Sequence, residues 1–226
     1  MKNEITAKIK EEKIIAIIRH LGAKDAEALC EALYKGGIRL AEITFDPAGT
    51  IPAEETAKTI SVLRDKFAGK MLIGAGTVLD MDYARIAIGA GAEFIISPNT
   101  DPDVIRYTKE CGRVSIPGAM TPTEVVSAYR AGADFVKVFP SDTLGLKFIK
   151  ALRAPLPHIP LIPTGGINTG NIADFLSAGA AAVGIGSNLS RNDLVKAGRL
   201  DEITALAEEY LRAANGGAAN GGAAKC

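Results

Sequence analysis

Eight short apolar runs, rich in Ile and Val, punctuate the chain roughly every 20 to 25 residues. They are KIIAII from Lys13, RLAEIT from Arg39, KMLIGAG from Lys70, EFIIS from Glu93, RVSIP from Arg113, DFVKVF from Asp134, PLIPT from Pro160 and AAVGIG from Ala181. Each is followed by a polar or Gly-containing turn and then by a stretch with helical spacing, which is the signature of a βα repeat. The runs are nearly continuous rather than alternating, as expected of parallel strands buried on both faces beneath helices. Eight units within about 200 residues predict an α/β protein in which the sheet closes into a (β/α)8 TIM barrel rather than an open doubly wound sheet.

The intervening segments carry helix punctuation. Thr121 precedes Pro122 and an acidic first turn, the pattern of a capped helix start. Gly36-Gly37, Gly89-Ala90-Gly91, Ala131-Gly132 and Ala178-Gly179 each fall just before the next apolar run, where a left-handed cap residue is needed. Residues 2 to 12 predict an additional helix across the bottom of the barrel. The rival fold is an open dinucleotide-binding sheet, for which Gly74-Ala75-Gly76 offers two glycines. The third position is Leu79, and no acidic residue stands convincingly at the end of a following strand to hold a ribose.

With 226 residues and 47% hydrophobic content, the chain can bury one sizeable core, so a single domain over residues 1–214 is expected. Lys plus Arg and Asp plus Glu both number 26, which gives no overall electrostatic pull toward nucleic acid or anionic membrane. The three cysteines, Cys30, Cys111 and Cys226, are too scattered for a disulfide framework or paired zinc ligands, and a reducing, cytoplasmic setting is expected. No apolar run reaches membrane-spanning length, and the first residues lack the apolar core of a signal peptide. Residues 215–226, NGGAANGGAAKC, read as a flexible tail whose repeat and terminal thiol look like an addition for conjugation.

In such a barrel the chemistry sits where strands run out into the following loops. The polar residues there are Arg19, Glu42 with Thr44, Thr77, Ser97 with Asn99, Lys137, Thr164-Gly165-Gly166 and Gly186-Ser187. Lys137 interrupts Phe135-Val136-Lys137-Val138-Phe139. If it is turned inward, desolvation favours the neutral amine that attacks a ketone; if outward, it snorkels between helices to water. Glu42 interrupts Leu40-Ala41-Glu42-Ile43-Thr44 in the same way. Together the two read either as a buried ion pair or as an imine-forming lysine with a carboxylate that shuttles protons. Gly165, Gly166, Gly186 and Ser187 are expected to present backbone N–H groups to a phosphate or carboxylate, although tight βα turns alone would also use such glycines. His20 and His158 have no partner at ligand spacing, so no metal or other cofactor is expected. Cys30 and Cys111 read as packed small hydrophobes, and Asp80, Asp82 and Asp101 as helix N-terminal charges.

These residues give the chain its resemblance to a known group. Ala16-Ile17-Ile18-Arg19, Glu42-Ile43-Thr44, Gly74-Ala75-Gly76-Thr77-Val78, Ser97-Pro98, Pro117-Gly118, Lys137-Val138-Phe139-Pro140 and Pro163-Thr164-Gly165-Gly166-Ile167 resemble the bacterial 2-keto-3-deoxy-6-phosphogluconate and 4-hydroxy-2-oxoglutarate aldolases over residues 5 to 212. The resemblance implies class I aldolase chemistry. Lys137 would be the Schiff-base lysine and Glu42 the proton carrier, with Thr77 and Thr164 near the pyruvyl carboxylate and Arg19 with Ser187 near the distal phosphate or carboxylate. It further implies a small-molecule 2-keto acid substrate and a homotrimer.

The chain departs from that pattern at two places. Asp46 stands where many members carry an arginine; it either repels the pyruvate carboxylate or turns away to cap the Phe45-Asp46-Pro47 turn. Phe139-Pro140-Ser141 looks like the related 2-keto-3-deoxy-6-phosphogalactonate aldolases. The tail, Asp46 and Cys226 also admit a second reading, in which the barrel is a trimeric scaffold subunit of a larger designed assembly with reduced or incidental activity.

Overall fold

The computed structural model describes residues 2–216. Most of the Gly/Ala/Asn tail, with Cys226, lies outside the described residues. Nine strands are defined among them: β1 (Ile14–Ile18), β2 (Leu40–Thr44), β3 (Leu72–Gly76), β4 (Phe94–Ile96), β5 (Val114–Ile116), β6 (Gly118–Ala119), β7 (Val136–Val138), β8 (Leu161–Pro163) and β9 (Val183–Ile185). The helices are α1 (Lys2–Glu12), α2 (Ala23–Lys35), α3 (Ala53–Lys66), α4 (Met81–Gly89), α5 (Pro102–Glu110), α6 (Pro122–Arg130), α7 (Ser141–Arg153), α8 (Ile172–Ser177), α9 (Asn192–Lys196) and α10 (Leu200–Ala214). None is long and apolar enough to cross a membrane.

All strand pairs are parallel, in a six-stranded sheet ordered β5-β4-β3-β2-β1-β9 and a three-stranded sheet ordered β6-β7-β8. The chain is thus an α/β fold with a curled parallel sheet beneath helices. Each apolar run supplies one strand, and the short β6 follows the fifth run. Pro117 has no N–H to give to the ladder and divides β5 from β6, while its carbonyl still accepts the Lys137 N–H at 2.8 Å. Between β8 and β9, Ala181 N–H donates to Leu161 O at 2.8 Å, and Thr164 forms a parallel bridge with Gly184.

Side-chain alternation sorts the interior into two cores. One lies between sheet and helices and includes Ala16, Ile43, Ile73, Val136, Val138 and Ile185 from the strands. The other lies inside the curl and contains Ile15, Leu40, Phe94, Phe135 and Ile162, and α1 adds Ile5 and Ile9 to it. The leading segment is therefore a helix that packs on inner residues near the strand starts. Burial of each such side chain stabilises by about 1.5–3 kcal/mol.

Local signals in the sequence correspond to observed caps. The Asp80 carboxylate accepts N–H bonds from Asp82 and Tyr83, and that of Asp101 from Asp103 and Val104. Thr121 and Glu124 form a reciprocal capping box. Gly37 and Gly132 adopt φ of 94° and 107°, the left-handed region that a Cβ would strain. Cys30 is fully buried, and burial pushes its thiol up to about 12.

Candidate active site

The direction of Lys137 follows from its neighbours. Val136 and Val138 pack into the helix-facing core, whereas Phe135, two residues earlier, lies in the inner core. Strand alternation therefore turns Lys137 inward, where only 3% of it is exposed. Its Nζ lies 5.2 Å from the centroid of the Phe139 ring. Burial holds the ammonium below its ordinary range; the Glu42 carboxylate opposes that shift and the Arg19 guanidinium adds to it.

Glu42 shares the parity of Leu40 in the inner core and is 2% exposed. Burial raises its carboxyl above the ordinary range, while Lys137 and Arg19 pull it back. Its Oε1 has no hydrogen-bond partner. The room for this carboxylate comes from Gly76, because a Cβ there would stand 1.7 Å from Glu42 Oε1. An amine inclined to lose its proton and a carboxyl inclined to keep one thus face the same interior and feel each other's charge.

A cavity of about 580 Å³ opens beside this pair. Ile17, the register partner of Glu42, and Phe139, the ring beside Lys137, both line it. Arg19, Thr164, Gly165, Gly166, Gly186 and Ser187 line it too, so with Phe139 the cavity brings together residues from the ends of four separate strands, β1, β7, β8 and β9. Lys137 and Glu42 are not in that wall, and neither is Thr77. It follows β3 directly with φ of 57°, a left-handed conformation costly for a β-branched residue. Ser97 and Asn99 are engaged with each other, Ser97 Oγ donating to Asn99 O at 2.7 Å.

Asp46 serves its turn. Its carboxylate accepts N–H bonds from Ala48 and Ile51, each at 3.1 Å. Burial alone would raise this carboxyl, but those two bonds, the Thr50 hydroxyl and His20 hold it below its usual range. His20 Nδ1 is 3.9 Å away.

Three other contributors gave no sequence signal of their role. Gly76 leaves space for Glu42, as above. Ser141, fully buried, donates from Oγ to Val138 O at 2.7 Å and accepts the Thr164 N–H at 3.1 Å, tying the end of β7 to the end of β8. Asn192, the first residue of α9, donates from Nδ2 to Arg19 O at 2.8 Å, joining that helix to the segment after β1, 173 residues away. Such long-range pairings have no local pattern to betray them.

Comparison with known proteins places this site in a family. Residues 5–206 match the family model described as KDPG and KHG aldolase. The 2-dehydro-3-deoxy-6-phosphogalactonate aldolase of Escherichia coli strain K12 is 35% identical over 193 residues, covering 85% of this chain and 89% of that protein. The crystal structure of KDPG aldolase from Legionella pneumophila, with pyruvate captured as a covalent carbinolamine intermediate, superposes with a TM-score of 0.80 at 30% identity, covering 90% of this chain and 96% of that one. A cube-shaped, highly porous protein cage designed by fusing symmetric oligomeric domains gives 0.82 at 32% identity, covering 91% and 73%. The chain belongs to the KDPG and KHG aldolase family and is a class I, Schiff-base aldolase.

Proposed function

We propose that the chain cleaves a 2-keto-3-deoxy-6-phospho sugar acid to pyruvate and an aldehyde, with Lys137 as the imine-forming residue and Glu42 as the proton carrier. The observation that carries this reading is the inward, buried Lys137–Glu42 pair beside a cavity rich in glycine amides. Lys137 Nζ attacks the C2 ketone to give a carbinolamine, and Glu42 supplies the proton with which its hydroxyl leaves as water. The resulting iminium draws electrons from the C3–C4 bond. That bond breaks as the C4 hydroxyl gives up its proton, the aldehyde departs, and the enamine takes a proton at C3. Water then hydrolyses the imine and frees pyruvate. Thr164 and Thr77 would hold the pyruvyl carboxylate. Arg19, Ser187 and the amides of Gly165, Gly166 and Gly186 would hold the distal phosphate.

The Phe139-Pro140-Ser141 sequence favours the galactonate-type acid among the candidates, with 4-hydroxy-2-oxoglutarate as the smaller alternative. The Thr164–Gly184 bridge, together with the N–H bonds from Phe135 to Ser115 O and from Lys137 to Pro117 O beside the β5–β6 break, supports closure of the curl as a (β/α)8 barrel. A homotrimer in the cytoplasm is the setting proposed, and the free Cys30 and Cys111 fit a reducing compartment. The likeness to a designed cage subunit favours a second reading, a barrel used as a scaffold in a larger assembly; light scattering coupled to gel filtration separates a trimer from such a particle.

Release of pyruvate from the gluconate-type, galactonate-type and hydroxyoxoglutarate substrates, followed by coupled lactate dehydrogenase, tests the function. Cleavage of a phosphorylated acid by wild type, and none by Lys137→Ala, is expected. Equal cleavage by Lys137→Ala would refute the assigned roles.

A further inference from the structure

We propose that Ser141 is a positioning residue: without touching the substrate, it holds Thr164 where that side chain can take the carboxylate of the 2-keto acid. The inference rests on the reading of Thr164 as a carboxylate contact. Ile162 belongs to the inner core and is the register partner of Lys137. Thr164, two residues further along, shares its parity and turns inward as well. It lines the cavity, and Gly184 leaves room for it, since a Cβ there would stand 2.5 Å from Thr164 Oγ1. The Thr164 hydroxyl makes only a long donation, 3.4 Å, to Ile162 O. A bond of that length is weak, so the hydroxyl can turn to a ligand oxygen.

Ser141 engages both backbone polar groups of this threonine. Thr164 N–H is shared between Ser141 Oγ at 3.1 Å and Val138 O at 3.0 Å, while Thr164 O accepts the Ser141 N–H at 2.8 Å. The Ser141 hydroxyl gives its own proton to Val138 O at 2.7 Å, and Val138 follows Lys137 directly. One side chain thus joins the carbonyl beside the lysine to the amide of the threonine. The next turn is laid against the same contact. A Cβ on Gly165 would stand 3.3 Å from Ser141 N, and one on Gly166 would stand 2.6 Å from Asp142 Cβ. Ser141 itself is fully buried and outside the cavity wall, so its influence on a ligand runs through Thr164.

The test measures borohydride trapping of the imine at increasing pyruvate concentrations, together with thermal melts, in wild type, Ser141→Ala, Thr164→Val and the double variant. Alanine keeps the Ser141 N–H, and Thr164 N–H keeps Val138 O, so no buried group is orphaned and the melt should fall only slightly. Thr164 is left less firmly placed. The half-saturating pyruvate concentration should rise by about three- to tenfold in Ser141→Ala, with the limiting rate little changed, as expected when an interaction with the bound ligand weakens throughout the reaction. Thr164→Val should raise it too, and Ser141→Ala should add little in that background. Ser141→Cys, with a weaker hydrogen-bonding group in nearly the same space, should show the same rise and serves if the alanine variant does not fold. A lower Tm with unchanged half-saturation would make Ser141 a structural tie only and overturn the proposal. An equal rise in the wild-type and Thr164→Val backgrounds would overturn it as well, because the effect would not pass through Thr164. If Thr164→Val alone leaves half-saturation unchanged, the carboxylate reading of Thr164 fails and takes the Ser141 assignment with it.

Discussion

Replacing Gly76 by alanine drives a methyl group toward the Glu42 carboxylate, 1.7 Å from Oε1 and 2.4 Å from Cδ. Backbone strain plays no part, since Gly76 lies outside the left-handed region. The carboxylate is enclosed, so it must leave its position or the strand must shift. Overpacking of this kind costs about 1–3 kcal/mol, or roughly 2–12 °C in Tm at about 2–4 °C per kcal/mol for a chain of this size. Displacing a proton-transfer group costs about 10²–10⁴ in kcat. Coupled pyruvate release and thermal melts measure the two effects separately.

Gly74→Ala is the matched control, since its Cβ would meet the Phe94 ring at 2.2 Å rather than Glu42. It should lower Tm without a comparable loss of kcat. Because Glu42 carries the kinetic effect, Gly76→Ala added to Glu42→Gln should lower kcat little further, although it still destabilises. Shortening the side chain in Gly76→Ala/Glu42→Asp should restore part of the lost Tm. If Gly76→Ala lowers kcat as much in the Glu42→Gln background as in wild type, the reasoning that links Gly76 to catalysis through Glu42 fails.

The remaining predictions concern charge. Lys137 is held below its ordinary 10.5, so the rate of imine formation with pyruvate should climb with pH and level off before that value; continued increase up to pH 10.5 would contradict the desolvated amine. Glu42 opposes the Lys137 shift, so in Glu42→Gln the same profile should move to lower pH while turnover falls by about 10² or more. Folded Glu42 keeps its proton above its ordinary 4.5, so wild type should lose stability as pH rises from 4.5 through the folded value, and melts of Glu42→Gln should lack that loss. Asp46→Arg removes two N–H acceptors from the turn, lowering stability by about 1–3 kcal/mol without lowering KM; a tighter KM would restore the repulsion reading.

The strands of the fold were legible because buried parallel strands must be apolar on both faces, and each of the eight runs contains one. That same property hid the direction of Lys137. With valines on either side, alternation alone was consistent with both faces, and only the packing of Val136 and Val138 against helices resolves it. The break between the fifth run and the short β6 that follows it was readable in principle at Pro117-Gly118, where the ladder loses a donor. Asp46 was half legible: Asp before Pro signals a turn, but the N–H groups of Ala48 and Ile51 that it binds depend on the loop's closure. Ser141, Asn192 and the space beside Gly76 act across 23 residues or more, and no local pattern encodes such contacts.

The central claim is that Lys137 carries the imine. Incubation with pyruvate and borohydride, followed by peptide mass spectrometry, reads it directly, because reduction fixes the adduct on whichever amine formed it. The account predicts one added pyruvate-derived mass on the peptide containing Lys137 and none in Lys137→Ala. Lys13 and Lys70 stand at the starts of their apolar runs, away from the cavity, and should stay unmodified. An adduct on another lysine, or one that survives in Lys137→Ala, would contradict it.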